Sequence, residues 1–263
     1  MKRYSLILLL ILPFQGFSQH LELGISAGGA NYWGDLAPDV VAGETHLAYG
    51  AFARVNFSSS FAFTAAINNL TVSGNDKNFY FNQPRNLNFT TPITEYSATI
   101  EFNFFKFGVD VLDKKFSPYV FWGIAFTQFD PQGEIKGRMI QLRNIRTENN
   151  TYKSTIPAMP FGMGFKWQFH RHLACELNVN MRRFFSDYLD DVSTVYPDYN
   201  STLLQKGSVG AYLTDPSSGV NNGVPLYSAG DRRGNADYND WYITGTISIS
   251  YRFYKRTKCR RFY

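Results

Sequence analysis

The stretch from residue 241 to residue 253 (WYITGTISISYRF) constrains the fold most. Its odd positions are apolar or glycine, from Trp241 to Phe253, and its even positions carry Tyr, Thr, Ser and Arg. Such alternation predicts a strand with one polar and one apolar face. An ordinary strand has about five or six residues, whereas a tilted strand that crosses a bilayer needs about 9–11. Because a lone strand cannot satisfy its backbone in lipid, the chain must supply a closed barrel.

Seven further segments alternate in the same way. Together with the last segment they predict eight strands, at residues 21–30, 47–57, 61–70, 96–107, 118–129, 159–169, 173–184 and 241–253. Their connections alternate in length, and the long ones cover residues 31–46, 71–95, 130–156 and 185–239. Outer-membrane barrels have short periplasmic turns and longer outside loops. We therefore predict an all-β fold, an eight-stranded antiparallel up-and-down transmembrane β-barrel with long extracellular loops and both termini periplasmic.

The N-terminus predicts export. Lys2 and Arg3 precede an apolar run at residues 6–12, which is typical of a signal peptide covering residues 1–19. No later stretch has eighteen consecutive apolar residues, which argues against a helical membrane protein. We assign residues 20–253 to the outer-membrane barrel and residues 254–263 to a basic periplasmic tail. The alternative is an aromatic-rich soluble β-sandwich, although sandwich strands are shorter and their turns more regular.

Several charged residues fall on the predicted inner face of the barrel. They are Glu22, Arg54, Glu101, Lys166, Glu176, Arg182 and Arg252. Such charges would be prohibitive in a sandwich core but are normal inside a small barrel. A barrel of eight strands is just wide enough for side chains to fill. We predict that these three acids and four bases pair in a plugged interior that has no solute channel.

Enzymatic signatures are missing from the chain. It has no dinucleotide-binding, P-loop, HExxH or CxxC motif, so no cofactor is expected. His46 is predicted at the outer rim, where a catalytic group of a small lipid-modifying enzyme would lie, but no Ser-His-acid spacing accompanies it. His170 and His172 could form a metal pair in a periplasmic turn, and a solvated turn is the simpler interpretation. We therefore predict that the protein is not an enzyme.

The longest loop carries two groups of acids that could meet across it. They are Asp187, Asp190 and Asp191 at its start, with Asp231, Asp237 and Asp240 at its end. Together they could hold a calcium ion, although the spacing does not match an EF-hand. The alternative is a loop scaffold hydrogen-bonded with Arg232 and Arg233.

The tail and its cysteine suggest a partner. Five bases and no acid lie in residues 254–263, namely Lys255, Arg256, Lys258, Arg260 and Arg261. In an exported protein these charges favour an acidic partner or anionic lipid over nucleic acid. Cys259 lies among them and could form an intermolecular disulfide, or it could remain a free thiol. Cys175 falls on the outward face and is predicted to be an inert small hydrophobe.

Three loop stretches resemble the PorG-type outer-membrane barrel family, whose barrels are OmpA-like. They are residues 31–36 (NYWGDL), 182–197 (RRFFSDYLDDVSTVYP) and 231–242 (DRRGNADYNDWY). The resemblance implies a component of the type IX secretion system that also supports gliding motility. It further implies that the barrel anchors a periplasmic ring of the PorK/PorN type to the outer membrane. The composition of the tail, not the resemblance, suggests the tail as the contact. A surface adhesin or receptor that acts through the long loops is the alternative.

Overall fold

A computed structural model describes residues 20–107 and 114–253. It contains ten strands and two α-helices. The strands are β1 (His20–Trp33), β2 (His46–Asn56), β3 (Phe61–Asn75), β4 (Asn88–Asn103), β5 (Phe116–Phe129), β6 (Gln132–Ile135), β7 (Arg138–Gln141), β8 (Thr155–His170), β9 (Leu173–Phe184) and β10 (Trp241–Phe253). The helices are α1 (Leu142–Ile145) and α2 (Tyr199–Thr214). Among the described residues, no helix is long and apolar enough to cross a membrane.

Eight of the strands form a closed antiparallel barrel, which confirms the predicted fold class. Their order is β3-β2-β1-β10-β9-β8-β5-β4, and a further pairing of β3 with β4 closes the ring. The first and last strands pair without a bulge from Leu21 opposite Phe253 to Trp33 opposite Trp241. Closure leaves no barrel edge unpaired, which is what a strand in lipid requires.

The predicted alternation of short and long connections holds only in part. The two longest connections lie at one end of the barrel, but residues 104–115, predicted as a short turn, are as long as residues 34–45 and 76–87, because β4 ends at Asn103 rather than at residue 107. Three connections are at the end that also holds His20 and Phe253, and they cover residues 57–60, 104–115 and 171–172. The four others, residues 34–45, 76–87, 130–154 and 185–240, gather at the opposite end. We call their assembly the cap.

The outer surface of the barrel is an apolar band with aromatic ends. Ile25, Ile124 and Ile247 in its middle are each more than half exposed. Trp33 and Trp241 pair at the cap end, and Tyr251 packs edge-on against Phe253 at the other. From Trp241 to Tyr251, ten residues rising about 3.3 Å each at a tilt of about 40° span about 25 Å. That height matches the apolar band of outer-membrane barrels, about 25 Å.

Several strands extend farther toward the cap than the apolar alternation predicts. The third predicted strand stopped at residue 70 and the fourth began at residue 96, whereas β3 runs to Asn75 and β4 starts at Asn88. Polar side chains such as Thr71 and Thr94 lie on the outward face of this extension. Above an apolar band the outward face no longer has to be apolar, but the backbone pairing continues. The apolar alternation in the sequence therefore shows where the apolar band of the outer surface ends, and not where the strands end.

The cap contains regular structure that the sequence pattern did not predict. A hairpin of β6 and β7 extends from the barrel through Gln132 opposite Thr90 of β4. Helix α2 begins after Asp198, whose side chain accepts a hydrogen bond from the Ser201 N–H at 2.6 Å. It is kinked at Gly207, whose φ of 70° favours glycine. Its polar, weakly patterned sequence explains why periodicity alone missed it.

Some predictions fall outside the described residues. The signal peptide at residues 1–19 is one of them. The tail at residues 254–263 is the other, with Lys255, Arg256, Lys258, Cys259, Arg260 and Arg261.

Candidate functional site

The interior of the barrel is centred on Arg54, which contacts three carboxylates. Its guanidinium donates to Glu22 at 3.0 Å and to Glu176 at 2.8 Å. Its Nε lies 3.0 Å from the Glu101 carboxylate. Arg54 and its three partners come from four different strands, so the cluster ties opposite walls of the barrel together.

Lys166 and Arg252 complete the cluster around Arg54. Lys166 pairs with Glu101, and Arg252 Nε donates to Glu22 at 2.5 Å. All seven interior residues predicted from sequence lie on the inner face and are no more than 4% exposed, namely Glu22, Arg54, Glu101, Lys166, Glu176, Arg182 and Arg252. Six of them meet in this cluster, and Arg182 lies apart from it.

Arg182 has a partner that the sequence reading missed. It pairs with Glu95 at 3.0 Å, and the Tyr242 hydroxyl donates to the same carboxylate at 2.6 Å. Glu95 was assigned to a loop because the fourth predicted strand began one residue later. Its parity with Glu101, six residues on, is the signal that could have placed it inside.

The two clusters are electrically balanced and fill the lumen. With Glu95 included, four carboxylates face four cationic side chains. The cavity between them has a volume of about 80 Å³, lined by residues such as Arg54, Asn178 and Arg182. This is room for a few water molecules and not for a solute. The described lumen therefore offers no continuous path for transport.

The cap is held together by two arginines, of which Arg85 is the first. It binds both oxygens of Asp76 on its own loop, at 2.6 and 2.8 Å. It also donates to the carbonyls of Asp35 at 3.1 Å and Arg233 at 2.8 Å. Arg85 thus joins three of the four cap loops.

Arg233 is the second and is almost fully buried. It donates to Glu148 at 2.9 Å and to the Thr214 carbonyl at 3.2 Å. The Glu148 carboxylate also accepts the backbone N–H groups of Ser193 and Thr194, both at 2.9 Å. Through this ion pair the remaining cap loop, residues 130–154, is tied to the longest cap loop, residues 185–240.

An acidic cluster lies beneath these arginines. The Tyr32 hydroxyl is 2.7 Å from Asp190 and 2.5 Å from Asp240. A hydroxyl carries one proton, so it can donate to only one carboxylate, and the other contact requires a protonated carboxyl. Burial first, and then the neighbouring carboxylates, raise the pKa of both Asp190 and Asp240 well above the usual range. The pKa of Asp187 is raised to about 9 for the same reasons.

This cluster joins the three loop stretches that resemble the PorG-type family. Tyr32 belongs to residues 31–36, Asp190 to residues 182–197 and Asp240 to residues 231–242. A second contact, from the Asn235 N–H to Asp35 at 2.5 Å, again links the first stretch to the third. These three stretches thus form the packed base of the cap.

The acids proposed for calcium meet only in part. Asp191 turns away to accept a hydrogen bond from Tyr152 at 2.5 Å, and Asp231 accepts one from the Ser228 N–H at 2.7 Å. Asp237 is exposed. Within residues 20–107 and 114–253, no group of three or more His, Cys, Asp or Glu side chains is arranged to hold a metal ion. The hydrogen-bonded scaffold, with Arg233 at its centre, is the arrangement that the structure shows.

His46 has a serine and an acid nearby, but not in the order of a catalytic triad. Its Nε2 lies 2.7 Å from the Ser73 hydroxyl, and that hydroxyl donates to Glu44. Because the serine proton points to the acid, the imidazole is not placed to accept it. The three residues tie the first cap loop to β3.

The remaining candidates lie at the opposite rim and on the outer surface. The rings of His170 and His172 are 6.0 Å apart, and His172 stacks on Tyr251 at 5.4 Å. Cys175 is a free thiol on the outward face of β9 and is partly exposed. Both arrangements agree with a solvated turn and an outward-facing small side chain.

A family described as "Domain of unknown function (DUF6089)" matches residues 1–212 of this chain. No curated protein matches the sequence. The family description states no activity, so the resemblance to PorG-type barrels stays a prediction about function.

Several solved barrels have a similar shape. Ail, the attachment invasion locus protein of Yersinia pestis, is 8% identical, with 90% of this chain and 100% of that chain covered and a TM-score of 0.44. Neisserial surface protein A is 5% identical, with 90% and 97% covered and a TM-score of 0.43. The N-terminal barrel of Pseudomonas aeruginosa OprF is 11% identical, with 91% and 100% covered and a TM-score of 0.39. The scores are all below 0.5, so the barrel assignment rests on this chain's own strand pairing.

Proposed function

This chain belongs to the DUF6089 family, and from that premise we propose that it is a non-enzymatic outer-membrane barrel that anchors periplasmic ring components of the type IX secretion system. The observation that carries the proposal is the filled lumen. A barrel whose interior is closed by balanced ion pairs has to act through its rims, its loops or its outer face.

The membrane location is supported by the outer surface. A soluble protein rarely exposes a contiguous apolar patch of more than a few hundred Å², whereas this barrel exposes an apolar side chain at most outward positions of eight strands. The band has the height of a bilayer core and aromatic residues at both ends. With the strand count even, His20 and Phe253 lie on one side of the barrel, which we assign to the periplasm because the two longest connections, residues 130–154 and 185–240, lie on the other side.

The anchoring role is supported by the tail and by the family resemblance. The five basic residues at positions 254–263 would attract an acidic ring protein, and Cys259 among them could form a disulfide with it. The three loop stretches that resemble PorG-type barrels suggest the secretion system as the setting. Ring proteins of the PorK/PorN type are the proposed partners.

A deletion tests the anchor. Removing residues 254–263 is expected to release the ring proteins from purified outer membranes and to stop secretion, while the barrel itself stays inserted. Replacing all five basic residues by Gln is the matched variant that keeps the tail length. Normal ring attachment and secretion in both variants would rule out the tail as the anchor.

A single substitution tests the covalent link. Native outer membranes are solubilised without reductant, and proteins that migrate with the barrel are identified by mass spectrometry. A high-mass adduct that disappears in Cys259→Ser supports a disulfide to the ring. A ring protein that co-purifies equally with both chains supports the anchor without the disulfide.

The alternative is a surface receptor or adhesin, and the ordered cap favours it. Arg85 and Arg233 fix four loops in one arrangement, as a recognition surface requires. Replacing residues 199–219 by a short Gly-Ser linker, with the tail intact, separates the two roles. Loss of binding to an outside ligand with normal secretion would support the receptor, and normal cell-surface binding would speak against it.

A further inference from the structure

One charged side chain stands on the outward face of the barrel. Among all outward positions of the eight barrel strands, which are fully described, Arg183 of β9 is the only Asp, Glu, Lys or Arg. It is exposed and lies at the cap end, one residue before the strand ends. An arginine in the middle of a membrane barrel's lipid face costs about 2–4 kcal/mol, but close to the interface the cost falls to about 0–1 kcal/mol. Arg183 is placed where its charge is tolerated.

The Arg183 guanidinium is held by aromatic rings and has no anionic partner within the described part of the chain. It lies 6.0 Å from the ring centre of Trp241 and 5.9 Å from that of Phe185. Neither a hydrogen bond nor an ion pair to it occurs among residues 20–107 and 114–253. By contrast, Arg54, Arg85, Arg182 and Arg233 each bind a carboxylate. Arg183 thus keeps its donors available.

The guanidinium lines a pocket of about 740 Å³ on the outer side of the rim. Trp33, Trp241 and Tyr238 form its aromatic walls, and Met181 and Phe161 form its lower edge. Met181 pairs with Phe161 on one side and with Ile243 on the other, so an apolar row continues from the pocket down the lipid-facing surface. The pocket therefore joins one cation to a surface suited to hydrocarbon.

We propose that this pocket binds the phosphorylated headgroup of an outer-leaflet lipid, with Arg183 on the phosphate and an acyl chain along Met181 and Phe161. A guanidinium presents a planar fork of donors that matches phosphate oxygens. Arg183 lies opposite Trp241 in the strand register, and Trp241 lies opposite Trp33, so the guanidinium is within the aromatic belt, where lipid headgroups meet the bilayer core. The inference rests on the outer-membrane part of the proposed function and is independent of any secretion partner.

The acids at the pocket decide how strong the site is. Asp35 also lines it, but its carboxylate accepts the backbone N–H of Asn235 at 2.5 Å. Asp237 is exposed on the wall and would repel a phosphate. The charge of Asp237 therefore provides a second test. Removing it should strengthen binding of the lipid phosphate, whereas removing the charge of Arg183 should weaken that binding.

Folded barrel purified from outer membranes in detergent provides the test. The probes are diphosphorylated lipid A, the same lipid without its phosphates, and inorganic phosphate. Bound lipid is counted by native mass spectrometry over a lipid titration. Arg183→Gln is expected to weaken binding of the phosphorylated lipid at least about ten-fold, Arg183→Lys less, and Asp237→Asn to strengthen it. Arg138→Gln, an exposed arginine of β7, is the charge-matched control and should change nothing.

The outcomes separate the sources of the phosphate. Tight binding of the phosphorylated lipid alone, lost in Arg183→Gln, supports the proposal. Equal binding of the dephosphorylated lipid, or equal binding by Arg183→Gln and wild type, overturns it. Inorganic phosphate that competes at the lipid's own concentration would show a free-anion site and would also overturn it.

A fractionation experiment keeps this result apart from the proposed function. If the wild-type chain is found in the outer membrane and Arg183→Gln binds the phosphorylated lipid as well as wild type does, only the lipid site is ruled out. If the chain is absent from the outer membrane, the proposed location falls first.

Discussion

The Arg233 guanidinium donates to the Glu148 carboxylate at 2.9 Å across 85 positions of the sequence, and both side chains are 1% exposed. This ion pair belongs to the cap and not to the barrel. Since the barrel closes through its own backbone pairing, the cap can be perturbed without unfolding the strands.

The first prediction follows from that separation. Arg233→Met leaves a buried carboxylate at Glu148 without its cation, and breaking a buried pair in this way costs about 3–5 kcal/mol. We expect faster hydrogen exchange at residues 142–154 and 190–196, with an unchanged heat-dependent gel shift of the barrel. Arg232→Met, an exposed neighbour, is the control. Unchanged exchange in Arg233→Met would mean that the pair does not hold the cap.

The second prediction concerns pH and the acidic cluster. The folded pKa of Asp187 is about 9 against an ordinary value of 3.8, so the folded state favours the protonated carboxyl. Because the carboxyl is more easily protonated in the folded state, Asp187 stabilises the cap at low pH, and this stabilisation is lost as pH rises from about 4 through about 9. Protease cleavage of the cap should therefore speed up toward pH 9–10. Asp187→Asn should flatten the profile, and a cap that tightens with rising pH would contradict the assignment.

The third prediction compares two arginines of the lumen. Arg54→Leu leaves three carboxylates without their shared cation, whereas Arg182→Leu leaves one. Losing a buried partner costs about 3–5 kcal/mol, so Arg182→Leu should lower barrel stability by roughly that amount and Arg54→Leu by more. Urea unfolding in detergent measures both. Adding Glu176→Gln to Arg54→Leu should restore part of the loss, and equal losses in the two single variants would argue against a central role for Arg54.

The fourth prediction is the absence of a channel. Because both charge clusters block the lumen, the reconstituted barrel should show no steady conductance in a planar bilayer. A chain in which residues 199–219 are replaced by a short linker should be equally silent, since the seal lies inside the barrel. Current that appears only in the shortened chain would mean that the cap, and not the charge clusters, blocks the lumen. Current in the wild type would contradict a filled lumen.

The sequence was a good guide wherever a residue's surroundings follow from its position on a strand. Period-two alternation placed Glu22 and Arg54 inside because successive side chains point to opposite faces. It failed at Glu95, since before residue 96 the polarity of the two faces reverses: outward Thr94 is polar, whereas inward Phe89 and Ile93 are apolar and buried beneath the cap. Strand ends beyond the apolar band depend on backbone pairing with a neighbour, which is not written in the polarity of one segment.

The cap was outside the reach of pattern reading. The acids at positions 187–191 and 231–240 were seen as groups that could meet, but which of them meet was open. Tyr32 selects Asp190 and Asp240, while Asp191 binds Tyr152. Contacts between residues so far apart in the chain have no local period, and only the closed barrel fixes how far apart the loop bases stand.

By itself the sequence determined a barrel of eight strands, because closure is the physical way for such strands to satisfy their backbones in lipid. It also determined that the lumen would be charged. Only the tertiary structure decided that Glu95 balances Arg182, that Arg85 and Arg233 bind the cap loops together, and that Arg183 shares a pocket with Trp33 and Trp241. These depend on which side chains from distant segments share a place in space, and that is set by barrel register and loop packing rather than by the order of residues along one strand.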